Sequence, residues 1–166
     1  MLDQKKNIIL IIIFFIILLS IISALIIEHA LGHQPCSLCL YERIPYFLSA
    51  LLIIKIFFFK KYERITLFIL FLVFMTSALL AFYHFGIEQG FFDESFVCNV
   101  ESQLKILSKE NLLKELNKNI VSCKDVTFRI LGLSLATINT ILSIVLSIIF
   151  LKLFFNYGSS STSQYK

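Results

Sequence analysis

Tryptophan is absent from this chain of 166 residues, and glycine, proline and histidine number only five, two and three. No Gly-rich phosphate-binding loop and no internal repeat occur, so neither a nucleotide cradle of that type nor a repeat architecture is expected. Charged residues make up 16% of the chain, and the net charge of +4 gives no reason to expect a nucleic-acid partner. Hydrophobic residues make up 58%, whereas a soluble domain averages roughly 45–50%.

Long apolar runs at residues 8–27, 44–59, 65–85 and 128–155 each predict a membrane span. Backbone polar groups cannot stay unpaired in lipid, so each span is predicted to be a helix. The first run exceeds the roughly 7–15 apolar residues of a signal peptide, so we expect it to be retained. The sequence therefore predicts an all-α bundle of four membrane helices within one domain at 1–157, followed by a disordered Ser/Thr-rich tail at 158–166.

Basic residues near the ends of the spans predict the orientation of the bundle. They cluster before the first span, between the second and third, and after the fourth: Lys5, Lys6, Lys60, Lys61, Arg64 and Lys152. Lysine and arginine are enriched in cytoplasmic loops, so these sites and both termini are expected to be cytoplasmic. The loops at 28–43 and 86–127 then face outward. Within the second loop, an apolar stripe in 100–120 predicts a short amphipathic helix, on the membrane surface or capping the bundle.

All four cysteines fall in these outward-facing segments. Cys36 and Cys39 form a C-x-x-C pair, which closes too short a loop to stabilise the fold much, so redox exchange and metal binding remain as its functions. A disulfide between Cys98 and Cys123 is expected to be exposed, which suits thiol exchange, although a structural bridge is the alternative.

A metal site is an alternative at the C-x-x-C pair. His33, Cys36 and Cys39 resemble a three-ligand set, and His29 or His84 could add a fourth ligand. An oxidising compartment works against permanent thiolate ligands, so no resident metal is expected. A non-enzymatic metal-binding or scaffold protein is kept as the rival interpretation.

The C-x-x-C pair is predicted to lie at the mouth of the second span. A thiol near a helix N-terminus is favoured as thiolate by the helix dipole. Arg43 follows Cys39 by one helical turn and adds a positive charge on the same face. His84 lies near the outer end of the third span.

Three segments resemble the DsbB family of bacterial inner-membrane disulfide oxidases. They are PCSLCLYER at the start of the second span, YHFGIEQGFF after the third, and SCKDVTFRILGLSLATIN leading into the fourth. The resemblance covers nearly the whole chain. The missing tryptophan is a departure at the membrane interface, where the 18 Phe and six Tyr can substitute.

The resemblance implies a thiol oxidase that re-oxidises a periplasmic DsbA-type thioredoxin-fold protein and passes electrons to a membrane quinone, with ubiquinone preferred to menaquinone. It implies that Cys98 forms the mixed disulfide with this partner, and that Cys36 and Cys39 receive the electrons. Cys39 and Arg43 would then meet the quinone, with His84 nearby. A vitamin K epoxide reductase-like protein is a second alternative, but the C-x-x-C pair of that family opens its last span.

Overall fold

Helices account for most of the computed structural model, which describes residues 2–93, 98, 122–124, 129–130 and 132–162. Its long helices are α1 (Leu2–His29), α2 (Ser37–Phe58), α3 (Glu63–Glu88) and α4 (Leu135–Thr162), and a 3-10 turn, Lys60–Tyr62, joins α2 to α3. Within the described part of the chain, four helices are long and apolar enough to cross a membrane. The predicted all-α bundle of four spans is therefore confirmed.

All four helices begin at positions that differ from the predicted spans, and for α2 and α4 the contacts at their first residues explain the difference. α2 begins at Ser37 rather than at 44, because the Cys36 sulfur caps it by accepting the Cys39 backbone N–H at 3.3 Å. α4 begins at Leu135 rather than at 128, because the strands β1 (Arg129–Ile130) and β2 (Leu133–Ser134) pair in an antiparallel hairpin ahead of it. Gly132 makes the turn with a φ of +85°, which favours glycine.

The far end of α4 also differs from the prediction. Its backbone is helical to Thr162, so 158–162 continues the helix where a disordered tail is predicted. No proline interrupts this stretch, and serine and threonine cost a helix only a fraction of a kcal/mol each, about 0.7 at most. The predicted amphipathic helix at 100–120 lies outside the described residues.

The hydrophobic core runs along the centre of the bundle and draws on all four helices. Phe74 of α3 stacks on Phe150 of α4, with ring centroids 5.5 Å apart, and Tyr46 of α2 meets Phe74 edge-on at 5.7 Å. Large apolar side chains such as Phe15, Leu51 and others also cover the outside of the bundle. That distribution suits helices surrounded by lipid, where apolar side chains need not turn inward.

Small residues line the contact between α3 and α4. Ser77 and Ala81 of α3 and Ala136, Ser143 and Ser147 of α4 are all buried. Small side chains allow helix backbones to approach closely in a membrane. Gly132 does not share this contact, because it lies in the hairpin turn ahead of α4.

The segment after α3 folds back toward the outer end of the bundle. Phe91 and Phe92 both donate backbone N–H groups to the Gly86 carbonyl, and the Phe92 ring lies directly over Gly86, leaving no room for a Cβ there. Tyr83 packs against the same ring at 5.5 Å. This return brings the chain beside the end of α3 that bears His84.

Candidate active site

Cys36 and Cys39 lie at the start of α2, as the sequence predicts. Cys36 is the N-cap residue and is buried, whereas Cys39 lies in the first turn and is half-buried. Both are free thiols in this structure, and their sulfur atoms are 2.7 Å apart. Only a small side-chain movement therefore separates the dithiol from a disulfide.

His84 connects the Cys36 sulfur to a buried carboxylate. Its Nε2 lies 3.5 Å from Cys36 Sγ, and its Nδ1 lies 2.7 Å from Glu42 Oε1. A carboxylate at Nδ1 orients the ring and favours a positive imidazole opposite a Cys36 thiolate. The arrangement is a cysteine–histidine–glutamate triad built from α2 and α3.

The Cys36 thiol is strongly acidified. The hydrogen bond from Cys39 contributes most, and it lowers the pKa of Cys36 from 9.0 to about 5, aided by the hydrogen bond and positive charge of His84. Burial opposes this effect, because it disfavours the charged form. Cys36 is therefore a thiolate at neutral pH when the pair is reduced.

The second oxygen of Glu42 is held by a polar chain that enters the bundle. Asn139 donates to Glu42 Oε2 at 2.7 Å and accepts the Tyr46 hydroxyl at 2.5 Å. Ser143 continues the chain from Tyr46 at 3.4 Å, and Ser77 lies 3.1 Å beyond it. Both oxygens of the buried Glu42 carboxylate are thus satisfied, which its location in a membrane helix requires.

Arg43 pairs with Glu28 rather than with its neighbour Glu42. The Glu28 Oε2 to Arg43 Nη1 distance is 2.5 Å, and the pair joins the end of α1 to α2. Glu42 itself turns inward to His84 and Asn139.

A cavity of about 350 Å³ opens beside these residues. One end is polar and includes Cys39, Arg43 and His84, the three residues predicted to meet a cofactor. The remainder is largely apolar and is formed mainly by α1 and α4: Leu19, Ile21, Ala24, Ile27, Leu135, Ala136, Ile138 and Leu142. An apolar cleft with a few convergent polar groups is the usual form of a site for a small hydrophobic molecule.

The Cys98–Cys123 pair forms a disulfide, as predicted, with a Cα–Cα distance of 5.4 Å. The prediction that it is exposed is wrong, because each cysteine is only 2% exposed. The two residues pack in one buried cluster with Cys36, Leu38 and Ile87, and Cys39 lies against that cluster. Tertiary packing, which loop position does not reveal, therefore brings both cysteine pairs together.

The metal-binding residues also differ from the predicted set. Among the described residues, one potential ligand group is Cys36, Cys39 and His84, with ligand atoms within 4.8 Å of one another. His29 is exposed and its ring nitrogen contacts the Leu25 carbonyl at 3.1 Å, outside this group. His33 lines the cavity without joining the ligand group.

Comparison with known proteins agrees with this geometry. The sequence matches the family of disulfide bond formation protein DsbB over residues 6–153. The chain belongs to the DsbB family. Its sequence is also 30% identical, over 146 residues, to an uncharacterized protein of Rickettsia prowazekii (strain Madrid E), covering 86% of this chain and 83% of that relative. No solved structure matches it.

Membership of the DsbB family identifies the chain as a multi-pass membrane protein of disulfide bond formation with disulfide oxidoreductase activity.

Sequence reasoning missed Glu42, Glu88 and the role of Asn139 in this site. One signal was available: Glu42 is an ionisable residue two positions before the predicted span at 44–59 and one turn from Cys39, and ionisable residues at membrane depth are functional candidates by default.

Proposed function

We propose that this protein is a quinone-dependent thiol oxidase of a bacterial inner membrane that re-oxidises a periplasmic DsbA-type thioredoxin-fold protein. The observation that carries the proposal is the buried cluster that joins both cysteine pairs, with Cys39 also lining the adjacent cavity. A dithiol can thus be oxidised at one pair and its electrons delivered at the other. In the orientation that the basic residues at the span ends predict, the cysteines face the periplasm and both termini are cytoplasmic.

The first step is exchange with the partner. A thiolate of the reduced partner attacks Cys98 and forms a mixed disulfide, while Cys123 leaves as a thiolate. The partner's second thiol then attacks the mixed disulfide, which releases oxidised partner and leaves Cys98 and Cys123 as a dithiol. Both sulfurs are buried, so the partner must displace covering residues before it attacks.

The second step passes two electrons between the pairs of this chain. A thiolate of the Cys98–Cys123 pair attacks the Cys36–Cys39 disulfide and forms a mixed disulfide. The other thiol of the Cys98–Cys123 pair then attacks this mixed disulfide and restores the Cys98–Cys123 disulfide, here called the outer disulfide. The Cys36–Cys39 pair is left as a dithiol. Shared packing of the pairs supports this exchange, and the acidified Cys36 is a good leaving thiolate.

The cavity fits a quinone, because it offers an apolar body and a polar end at Cys39, Arg43 and His84. When bound, a quinone, expected to be ubiquinone, would accept two electrons and two protons. Arg43 would stabilise negative charge at a quinone oxygen, and the His84–Glu42 pair can hold a proton at Nδ1. As Cys36 and Cys39 become a disulfide again, Cys36 gives up its negative charge.

Two features discriminate this proposal from its rivals. The C-x-x-C pair opens α2 rather than the last helix, which argues against a vitamin K epoxide reductase-like role. A simple metal-binding or scaffold protein would not require a second disulfide packed against the C-x-x-C pair.

Purified protein should reduce quinone when supplied with a reduced DsbA-type protein, and Cys39→Ser and Cys98→Ser should each abolish this activity. Thr140→Ala, in a side chain whose described hydrogen bond goes to its own helix, is the matched control and should remain active. Activity in Cys98→Ser equal to the unsubstituted protein would show that the outer pair is not on the electron path.

A further inference from the structure

We propose that the reduced Cys36–Cys39 pair, together with His84 and Glu88, forms a binding site for Zn²⁺. The oxidised pair cannot bind the ion in this way, because a disulfide has no thiolate to donate. Binding requires only that the pair be reduced. The reduced pair arises during turnover only if the proposed function is correct, so this part of the inference rests on that function.

The ligand atoms are spaced for a tetrahedral ion. Zinc binds sulfur at about 2.3 Å and imidazole nitrogen at about 2.0 Å, which places neighbouring ligands roughly 3.5 Å apart. Cys36 Sγ and His84 Nε2 are 3.5 Å apart. The two sulfurs are 2.7 Å apart and need to separate, which rotation of the less buried Cys39 side chain allows.

Glu88 supplies the fourth ligand. Its Oε1 lies 3.8 Å from His84 Nε2, one helical turn away in α3. Its Oε2 is buried and makes no hydrogen bond within 3.5 Å among the described residues, although the Ser134 hydroxyl lies near the carboxylate. A buried carboxylate oxygen without a partner is costly, and a cation between Glu88 and His84 would satisfy it.

The surroundings of His84 match those of a metal-binding histidine. Such a histidine usually donates its other ring N–H to a carboxylate, which fixes the ring and leaves one nitrogen for the metal. Here Nδ1 contacts Glu42 at 2.7 Å, and Nε2 faces Cys36 and Glu88. The ligand residues also line the cavity, which provides a route of entry.

Zinc at this site would stop the oxidase. Binding displaces the Cys39 thiol proton and the proton on His84 Nε2 and holds both thiolates, so neither sulfur can form the disulfide that passes electrons to the quinone. The inference therefore predicts a zinc-inhibited reduced enzyme.

Binding is measured on full-length Cys98→Ser/Cys123→Ser protein in detergent, in which Cys36 and Cys39 are the remaining cysteines. The protein is reduced with a phosphine and titrated with Co²⁺, whose absorption reports thiolate ligation and tetrahedral geometry, and Zn²⁺ then displaces it. We expect one ion per chain in the reduced protein and none in the same protein after oxidation. Absence of uptake, an octahedral cobalt spectrum without thiolate bands, or equal uptake by oxidised protein would each overturn the proposal.

Substitutions identify the other ligands. Glu88→Gln and His84→Gln should each weaken Zn²⁺ binding by roughly tenfold or more, in protein that keeps its helical circular dichroism. The matched controls are Glu28→Gln, which removes another carboxylate of the cavity, and His29→Gln, which removes an exposed histidine. Unchanged affinity in Glu88→Gln and His84→Gln would exclude them as ligands and overturn the site.

Quinone reduction by unsubstituted protein without zinc tests the proposed function separately. Loss of that activity with intact metal binding would contradict the oxidase alone, and the converse would contradict only the metal site.

Discussion

Glu28 forms an ion pair with Arg43, with 2.5 Å between Oε2 and Nη1, at the polar end of the cavity. Arg43 is the cation proposed to stabilise negative charge on a quinone oxygen. The Glu28 carboxylate therefore holds the Arg43 guanidinium beside the cavity. It also offsets the positive charge that would stabilise a quinone oxygen. Under the proposed function, Glu28 and a quinone oxygen would compete for the same cation.

Glu28→Gln should release Arg43 and lower the apparent KM for quinone. A partly exposed ion pair is worth about 0.2–1 kcal/mol, so the change should not exceed roughly fivefold. Arg43→Ala should have the opposite effect and raise KM. Steady-state quinone kinetics test both variants, with Glu63→Gln as the control, because Glu63 pairs with Lys6 near the start of α1. A raised KM in Glu28→Gln would show that the carboxylate positions Arg43 instead of competing for it.

The pH dependence of Cys36 alkylation should reveal its acidified thiol. Only the thiolate reacts, so in reduced protein the rate should rise with pH to a plateau with a midpoint near 5, the pKa of Cys36. Cys39→Ala should move the midpoint up toward 9.0, because it removes the largest stabilising hydrogen bond. Mass spectrometry of the Cys36 peptide measures the rate at each pH. A midpoint near 9.0 in the unsubstituted protein would contradict the thiolate assignment.

Asn139→Ala should destabilise the bundle, because it leaves Glu42 Oε2 without a donor and the Tyr46 hydroxyl without its closest acceptor. Buried polar groups left unsatisfied cost about 1–3 kcal/mol each. Unfolding in detergent mixtures titrated with dodecyl sulfate measures the free energy. Thr140→Ala removes only a side-chain bond to the Ala136 carbonyl and should cost less. Equal losses of unfolding free energy in the two variants would show that the polar chain stabilises the bundle no more than a single hydrogen bond within a helix does.

Cys123→Ser should accumulate a covalent complex with the oxidised partner. The free Cys98 thiolate attacks the partner's disulfide, and no Cys123 remains to resolve the mixed disulfide. Non-reducing electrophoresis and peptide mapping should find the link at Cys98. The role assignment fails if Cys98→Ser forms the complex through Cys123 while Cys123→Ser forms none.

The sequence predicts the spans and the cysteine pairs because both signals are local. Apolar runs identify the membrane helices, and spacing identifies Cys36 and Cys39. The contacts that build the site are tertiary: His84 is 42 residues from Glu42, and Asn139 is 97 residues beyond Glu42. No spacing rule links such positions in a single sequence.

The prediction that the Cys98–Cys123 disulfide is exposed is wrong for a similar reason. The positions of Cys98 and Cys123 in a polar loop suggest exposure, but packing against Leu38 and Ile87 removes both from solvent. The start of α2 was placed too late because the polar residues Glu42 and Arg43 interrupt the apolar run, although both continue the helix. Inward contacts of these charged side chains make their position in a membrane helix tolerable.

In the proposed function, electrons from a partner dithiol cross both cysteine pairs to a quinone. Its most direct test is anaerobic absorbance spectroscopy of quinone mixed with the purified protein and a reduced DsbA-type protein. Quinone should be consumed mole for mole with partner dithiol, and Cys39→Ser should consume none. Quinone left unreduced by folded protein, whether ubiquinone or menaquinone is supplied, would contradict this electron path.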